Sequence, residues 1–152
     1  MIVTLLLVTW ALGIGLYDLK HQRVPNAALV LVLVPAVLAL TIDGRGLTGT
    51  APLSSAAGFG LALLLFLPGY ALGGLGAGDV KFAAVIGLLL GWVRTADMAL
   101  FACVGLGLLS LFWYRVYAGN RKARFPASAA FAVAFCAELA GGPFLSVLEK
   151  WQ

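Results

Sequence analysis

The apolar run IVTLLLVTWALGIGLYDL occupies residues 2–19 and contains one charged residue, Asp18. A helix of about 20 apolar residues is long enough to cross a bilayer. Five further apolar stretches follow, and we expect helices at residues 26–42, 53–72, 80–93, 97–118 and 126–148. The sequence therefore predicts an all-α fold, a polytopic membrane helix bundle with about six transmembrane helices.

The composition points to the same class of protein. Hydrophobic residues make up 62% of the chain and charged residues 11%, which leaves too few polar side chains to cover a water-soluble globule. We expect a single integral-membrane domain over residues 1–152. The net charge is +4, but the basic residues lie in short connections, so membrane lipid is the expected partner and nucleic acid is not.

The distribution of Lys and Arg predicts how the chain is oriented. The connections after the first, third and fifth predicted helices hold seven of these residues, and the opposite side holds three. The seven are Lys20, Arg23, Lys81, Arg115, Arg121, Lys122 and Arg124; the three are Arg45, Arg94 and Lys150. Because cytoplasmic connections are enriched in Lys and Arg, we expect the N-terminus outside and the loop at residues 43–52 on the outer side.

Two aspartates are the candidate catalytic residues. Asp18 ends the first apolar run and Asp79 precedes the fourth, so the predicted orientation places both on the cytoplasmic side. A carboxylate at a membrane boundary is costly unless it is paired, solvated or functional. Two neighbouring carboxyl groups that share a proton can hydrolyse a peptide, since one accepts a proton from water and the other donates to the carbonyl oxygen.

The residues around these aspartates fit a site that binds a peptide. Gly76 and Gly78 lack side chains, which allows positive φ angles and the close approach of another backbone, such as an extended substrate strand. Pro25 and Asn26 end the first connection, and Asn26 is a candidate cap of the second helix. Lys81 could stabilise the charge of the pair, bind a substrate carboxylate or only set the topology.

At these positions the chain resembles the type IV prepilin peptidases, the bacterial branch of the GxGD membrane aspartyl proteases. The resemblance rests on Asp18 followed by Val24-Pro25-Asn26, and on Gly76-Ala77-Gly78-Asp79-Val80-Lys81. It implies removal of the leader from pilin-like precursors at the cytoplasmic face of the bacterial inner membrane, typically after a glycine that precedes the apolar pilin helix. We expect no metal and no other cofactor for this cleavage.

One departure from the longer members of that family is informative. Those members carry a cytoplasmic insert with paired CxxC motifs, which is linked to zinc and to N-methylation of the new pilin terminus. The first connection of this chain is short and has no cysteine. The chain resembles the short form, and we expect no methyltransferase activity.

Other readings remain open at this point. Either aspartate alone could be an ordinary interfacial charge, and the paired glycines could form only a tight turn. A small ion- or proton-coupled transporter component could use Asp18, Asp79 and Glu138 as an ion path; an assembly scaffold and a GxGD intramembrane protease with another substrate are further alternatives. For Glu138, inside the last predicted helix, we expect structural pairing.

Overall fold

The structure is a computed structural model that describes residues 2–116 and 127–142. In these two ranges the chain forms five helices and no strand, which confirms the all-α prediction. The helices are α1 (Ile2–His21), α2 (Asn26–Ile42), α3 (Pro52–Ala71), α4 (Ala77–Val116) and α5 (Ala127–Gly141). The ends of α1, α2 and α3 lie within two residues of the predicted ends.

Three segments of the described chain are long and apolar enough to cross a membrane, namely Ile2–His21, Pro52–Ala71 and Ala77–Leu108. The helices α2 and α5 are apolar but shorter. Large apolar side chains such as Leu6, Leu31 and Leu64 are exposed on the bundle surface. A surface of this kind is suited to contact with lipid, which identifies the chain as a membrane protein.

The helix α4 folds sharply at Gly91, where φ is 75° and ψ is 171°. The Thr95 hydroxyl donates a hydrogen bond of 3.3 Å to the Gly87 carbonyl oxygen, eight residues earlier. In a straight helix these residues would lie about 12 Å apart along the axis. We call residues 77–90 the first arm of α4 and residues 92–116 its second arm.

The two arms correspond to the predicted helices at residues 80–93 and 97–118. The predicted connection at residues 94–96 is wrong, because the chain turns at Gly91 and is helical on both sides of it. The combination of φ and ψ at Gly91 is open essentially to glycine alone. The described residues consequently form five helices where six separate ones were expected, and one of the five, α4, is divided by the fold at Gly91 into two arms.

The second arm returns toward the middle of the bundle. A Cβ atom on Gly105 would lie 3.5 Å from the Ala130 Cβ in α5. The next residue, Phe131, packs its ring edge-on against Phe66 of α3 at a centroid distance of 4.7 Å. The core thus forms where α3, both arms of α4 and α5 meet, with α1 packed against α5.

The last helix begins at Ala127, one residue after its predicted start, and is described to Gly141. The remainder of the predicted helix 126–148 lies outside the described residues. Four of the residues that entered the orientation count, Arg121, Lys122, Arg124 and Lys150, also lie outside them.

Candidate active site

Asp18 lies in the last turn of α1 and points into the bundle. Only 4% of the residue is exposed, and it continues a buried stripe formed by Ala11, Ile14 and Gly15 at helical spacing. The Asp18 Oδ2 atom has no hydrogen-bond partner among the described residues. Gly15 lets α5 approach this face, because a Cβ atom there would lie 3.1 Å from the Ala132 Cβ.

Asp79 is the third residue of α4 and is also buried, with 5% exposed. The helix was expected to begin at residue 80, so the predicted boundary is three residues late and Asp79 belongs to the first turn. The Gly76 backbone N–H donates a hydrogen bond of 3.0 Å to Asp79 Oδ2. An acid at this position is half of a capping box, and the helix N-terminus stabilises its negative charge.

The connection after α1 lies directly against the start of α4. A Cβ atom on Gly78 would lie 3.0 Å from the Val24 Cβ and 3.5 Å from the Val24 backbone nitrogen. The end of α1 that carries Asp18 and the start of α4 that carries Asp79 are therefore on one side of the bundle. The two motifs, which are separated by about sixty residues in the sequence, meet at this contact.

Gly76 and Gly78 were expected to allow positive φ angles and the close approach of another backbone; the second expectation is confirmed at Gly78, where the Val24 backbone approaches, and the first is not. Neither has a positive φ angle; the glycines of this part of the chain with positive φ are Gly73 and Gly91. The expectation of positive φ at Gly76 and Gly78 is wrong. Both positions instead lack room for a larger side chain. A Cβ atom on Gly76 would lie 2.9 Å from Asp79 Oδ2, and one on Gly78 would be in close contact with Val24.

Trp10 links the two helices that carry the aspartates, and the sequence reasoning missed it. Its ring packs edge-on against Phe82, one turn after Asp79, at a centroid distance of 5.4 Å, and against Phe135 of α5 at 6.4 Å. Its indole N–H donates a hydrogen bond of 2.7 Å to the Ala28 carbonyl oxygen in α2. A single Trp in an apolar run gives no sequence signal for such a role.

Three other predicted residues lie at the edge of the site. Pro25 occupies the N-cap of α2 without a side-chain cap hydrogen bond, and Asn26 is the first residue of the helix. The expected capping role of Asn26 is wrong, because the cap position falls one residue earlier. Lys81 is exposed, which suits each of its three candidate roles.

Glu138 is buried far from these residues. It is 1% exposed, and neither of its carboxyl oxygens has a hydrogen-bond partner among the described residues. Its electrostatic neighbours are Asp97 and Arg94 in the second arm of α4, so the expected structural pairing does not take the form of a hydrogen bond there. Sequence reasoning also missed Asp97 and Ser128, both fully buried.

Comparison with known protein families gives one match. The model of the type IV leader peptidase family matches residues 5–112 of the 152. The matched stretch contains Asp18, the connection with Val24 and Pro25, and the segment from Gly76 to Lys81, and it ends before α5. Searches of curated proteins and of solved structures found no match.

Proposed function

The chain belongs to the type IV leader peptidase family, and we propose that it is an aspartyl endopeptidase with Asp18 and Asp79 as its catalytic pair. The observation that carries this proposal is the contact of Val24 with Gly78. It supports a single site, because it unites the helix ends that carry two buried carboxyl groups. The substrate is the leader-bearing precursor of a pilin-like protein.

The proposed reaction divides its proton transfers between the two carboxyl groups. The Asp79 carboxylate, stabilised by the Gly76 N–H and the helix N-terminus, accepts a proton from the attacking water. The water oxygen bonds to the scissile carbonyl carbon, and protonated Asp18 donates its proton to the carbonyl oxygen. The intermediate then collapses: the C–N bond breaks, the amine leaves with the proton held by Asp79, and the carbonyl proton returns to Asp18.

The segment before α4 is the proposed binding place for the substrate backbone. Leu72, Gly73 and Gly74 are exposed there and lead directly to Gly76. The backbone N–H groups of these three residues already donate to carbonyl oxygens at the end of α3, so an extended leader segment would bind by donating its own N–H groups to their carbonyl oxygens. Lys81 would then bind an acidic group of the precursor, while Pro25 and Asn26 shape the opposite edge of the site.

We further propose that the chain crosses the bacterial inner membrane six times, with the N-terminus outside and the site facing the cytoplasm. The fold at Gly91 supports this topology, because it allows the two arms of α4 to cross in opposite directions. The excess of Lys and Arg on the side of Asp18 and Asp79 supports the orientation.

Cysteine labelling tests the orientation. In a variant without Cys103 and Cys136, Lys81→Cys and Arg45→Cys introduce single thiols at exposed positions on opposite predicted sides. A membrane-impermeant maleimide should label position 45 in spheroplasts and position 81 only in inverted vesicles. The reverse pattern would contradict a cytoplasmic site.

Co-expression with a pilin-like precursor tests the activity. The wild-type chain should shorten the precursor by its leader, and the mass of the mature protein should show no added methyl group. A precursor of unchanged mass beside well-expressed enzyme would contradict the peptidase proposal, whereas a methylated product would contradict only the expected absence of methyltransferase activity.

A further inference from the structure

Two buried polar side chains near the site lack the hydrogen bonds that burial normally requires. Ser128, in the first turn of α5, is 0% exposed, and its Oγ atom has no partner among the described residues. Asp18 Oδ2 is in the same situation. Burying a hydroxyl without a partner costs free energy that an alanine at that position would not cost. Such a group needs an explanation, and a functional role is one.

The packing of α1 against α5 places these two groups at the same level of the bundle. Trp10 contacts Phe135, and the Gly15 Cβ position is 3.1 Å from the Ala132 Cβ. The residue numbers rise along α1 as they fall along α5, so the two helices run antiparallel. Asp18 follows Gly15 by three residues, about 4.5 Å along the axis, and is therefore opposite the start of α5.

The contacts of Gly15 already extend to this turn of α5. The Gly15 Cβ position is 3.4 Å from the Ala129 Cα and 3.8 Å from the Ser128 carbonyl oxygen. Ser128 thus lies within one helical turn of Asp18, on a neighbouring helix. A hydroxyl and a protonated carboxyl group at the same level of two neighbouring helices can both donate to a single oxygen atom placed between them.

We propose that Ser128 is a catalytic residue whose hydroxyl donates a hydrogen bond to the scissile carbonyl oxygen, beside the proton donor Asp18. This inference rests on the proposed function. As water attacks, negative charge develops on that oxygen, and a preorganised donor in a dry site stabilises it more strongly in the transition state than in the ground state. The bond is made to the substrate, which accounts for the missing partner of Oγ within the chain.

The role predicts an unusual pair of effects for Ser128→Ala. Loss of one such donor lowers kcat by about 100-fold or more, whereas KM changes little because the bond forms mainly in the transition state. The thermal midpoint should stay the same or rise, because the variant no longer buries an unpaired hydroxyl. A purely structural serine would instead affect stability and leave kcat unchanged.

Ser55→Ala is the matched control. Ser55 is also 0% exposed, but its hydroxyl is hydrogen-bonded to Thr50 Oγ1 at 2.7 Å, near the fold of α4 and away from Asp18. Its replacement should lower the thermal midpoint and leave kcat per folded enzyme unchanged. The two serines should therefore show opposite patterns.

The experiment measures kcat, KM and the thermal midpoint of wild-type, Ser128→Ala and Ser55→Ala enzymes in detergent with a purified pilin-like precursor. A fall in kcat at constant KM and undiminished stability of Ser128→Ala supports the role. A wild-type kcat in Ser128→Ala overturns the inference and leaves the peptidase proposal intact. A loss of activity that is accounted for by the unfolded fraction of Ser128→Ala has the same consequence. Failure of the wild-type enzyme to cleave the precursor overturns both.

Discussion

The contact between Gly78 and Val24 gives the sharpest test of how the site is assembled. Gly78→Ala would place a Cβ atom 3.0 Å from the Val24 Cβ, about 0.5–1 Å closer than carbon atoms normally approach. Overpacking of this kind costs about 1–3 kcal/mol, while alanine in a helix contributes about 0.5–1 kcal/mol relative to glycine. The net loss of stability should therefore be between about zero and 2.5 kcal/mol.

The loss of activity should be much larger than the loss of stability. The added methyl group pushes the connection after α1 away from the start of α4, and a displacement of about 1 Å at reacting groups can cost about 100-fold in rate. The assay is precursor cleavage by purified variants, with the thermal midpoint measured in parallel. Gly60→Ala is the control, since it also adds a methyl group to a helix but no heavy atom lies within 4 Å.

A compensating substitution separates two explanations for Gly78. Val24→Gly removes the Val24 Cβ and Cγ2 atoms that the new methyl group meets, so the double variant should recover most of the lost activity. Wild-type turnover in Gly78→Ala would refute the packing argument. Failure of Val24→Gly to rescue a folded Gly78→Ala enzyme would show that the space at Gly78 serves the substrate instead.

Two further predictions concern the rest of the bundle. Gly91→Ala should prevent accumulation of folded protein, because a φ of 75° is strained for alanine and the new Cβ would lie 2.5 Å from Ser54 Oγ. Membrane levels and size-exclusion chromatography measure this accumulation. A stable, active Gly91→Ala enzyme would contradict the fold described for α4. Glu138→Gln should keep substantial cleavage activity. It should not lower the thermal midpoint, because it removes a buried charge near Asp97. Loss of cleavage in a folded Glu138→Gln variant would instead place Glu138 in the catalytic machinery.

The helices could be predicted because their signals are local. Long apolar runs bounded by charged or glycine-rich connections gave the fold class and the ends of α1, α2 and α3 within two residues. The fold of α4 could not be found in this way. Arg94, Thr95 and Asp97 look like a polar connection, yet Thr95 and Asp97 are buried in the helix, and the turn depends on the backbone conformation of one glycine.

The site was only partly predictable for a related reason. The motifs identified Asp18 and Asp79, but the roles of Gly76 and Gly78 depend on which atoms lie beside them, which are the Asp79 carboxylate and Val24. Ser128 lies in an alanine-rich helix beyond the matched part of the family. Its interest arises from its burial and from the packing of α1 against α5, and neither can be read from the local sequence.

The most direct test of the central claim is the cleavage rate of Asp18→Asn, Asp79→Asn and the double variant, with wild-type enzyme alongside. An amide can neither accept the proton of water nor donate one to the carbonyl oxygen as a carboxylic acid does. Each single variant should insert normally and show no cleavage of the precursor by mass, and the double variant should be no worse than either one. Clear processing by either well-expressed single variant would contradict the aspartyl mechanism.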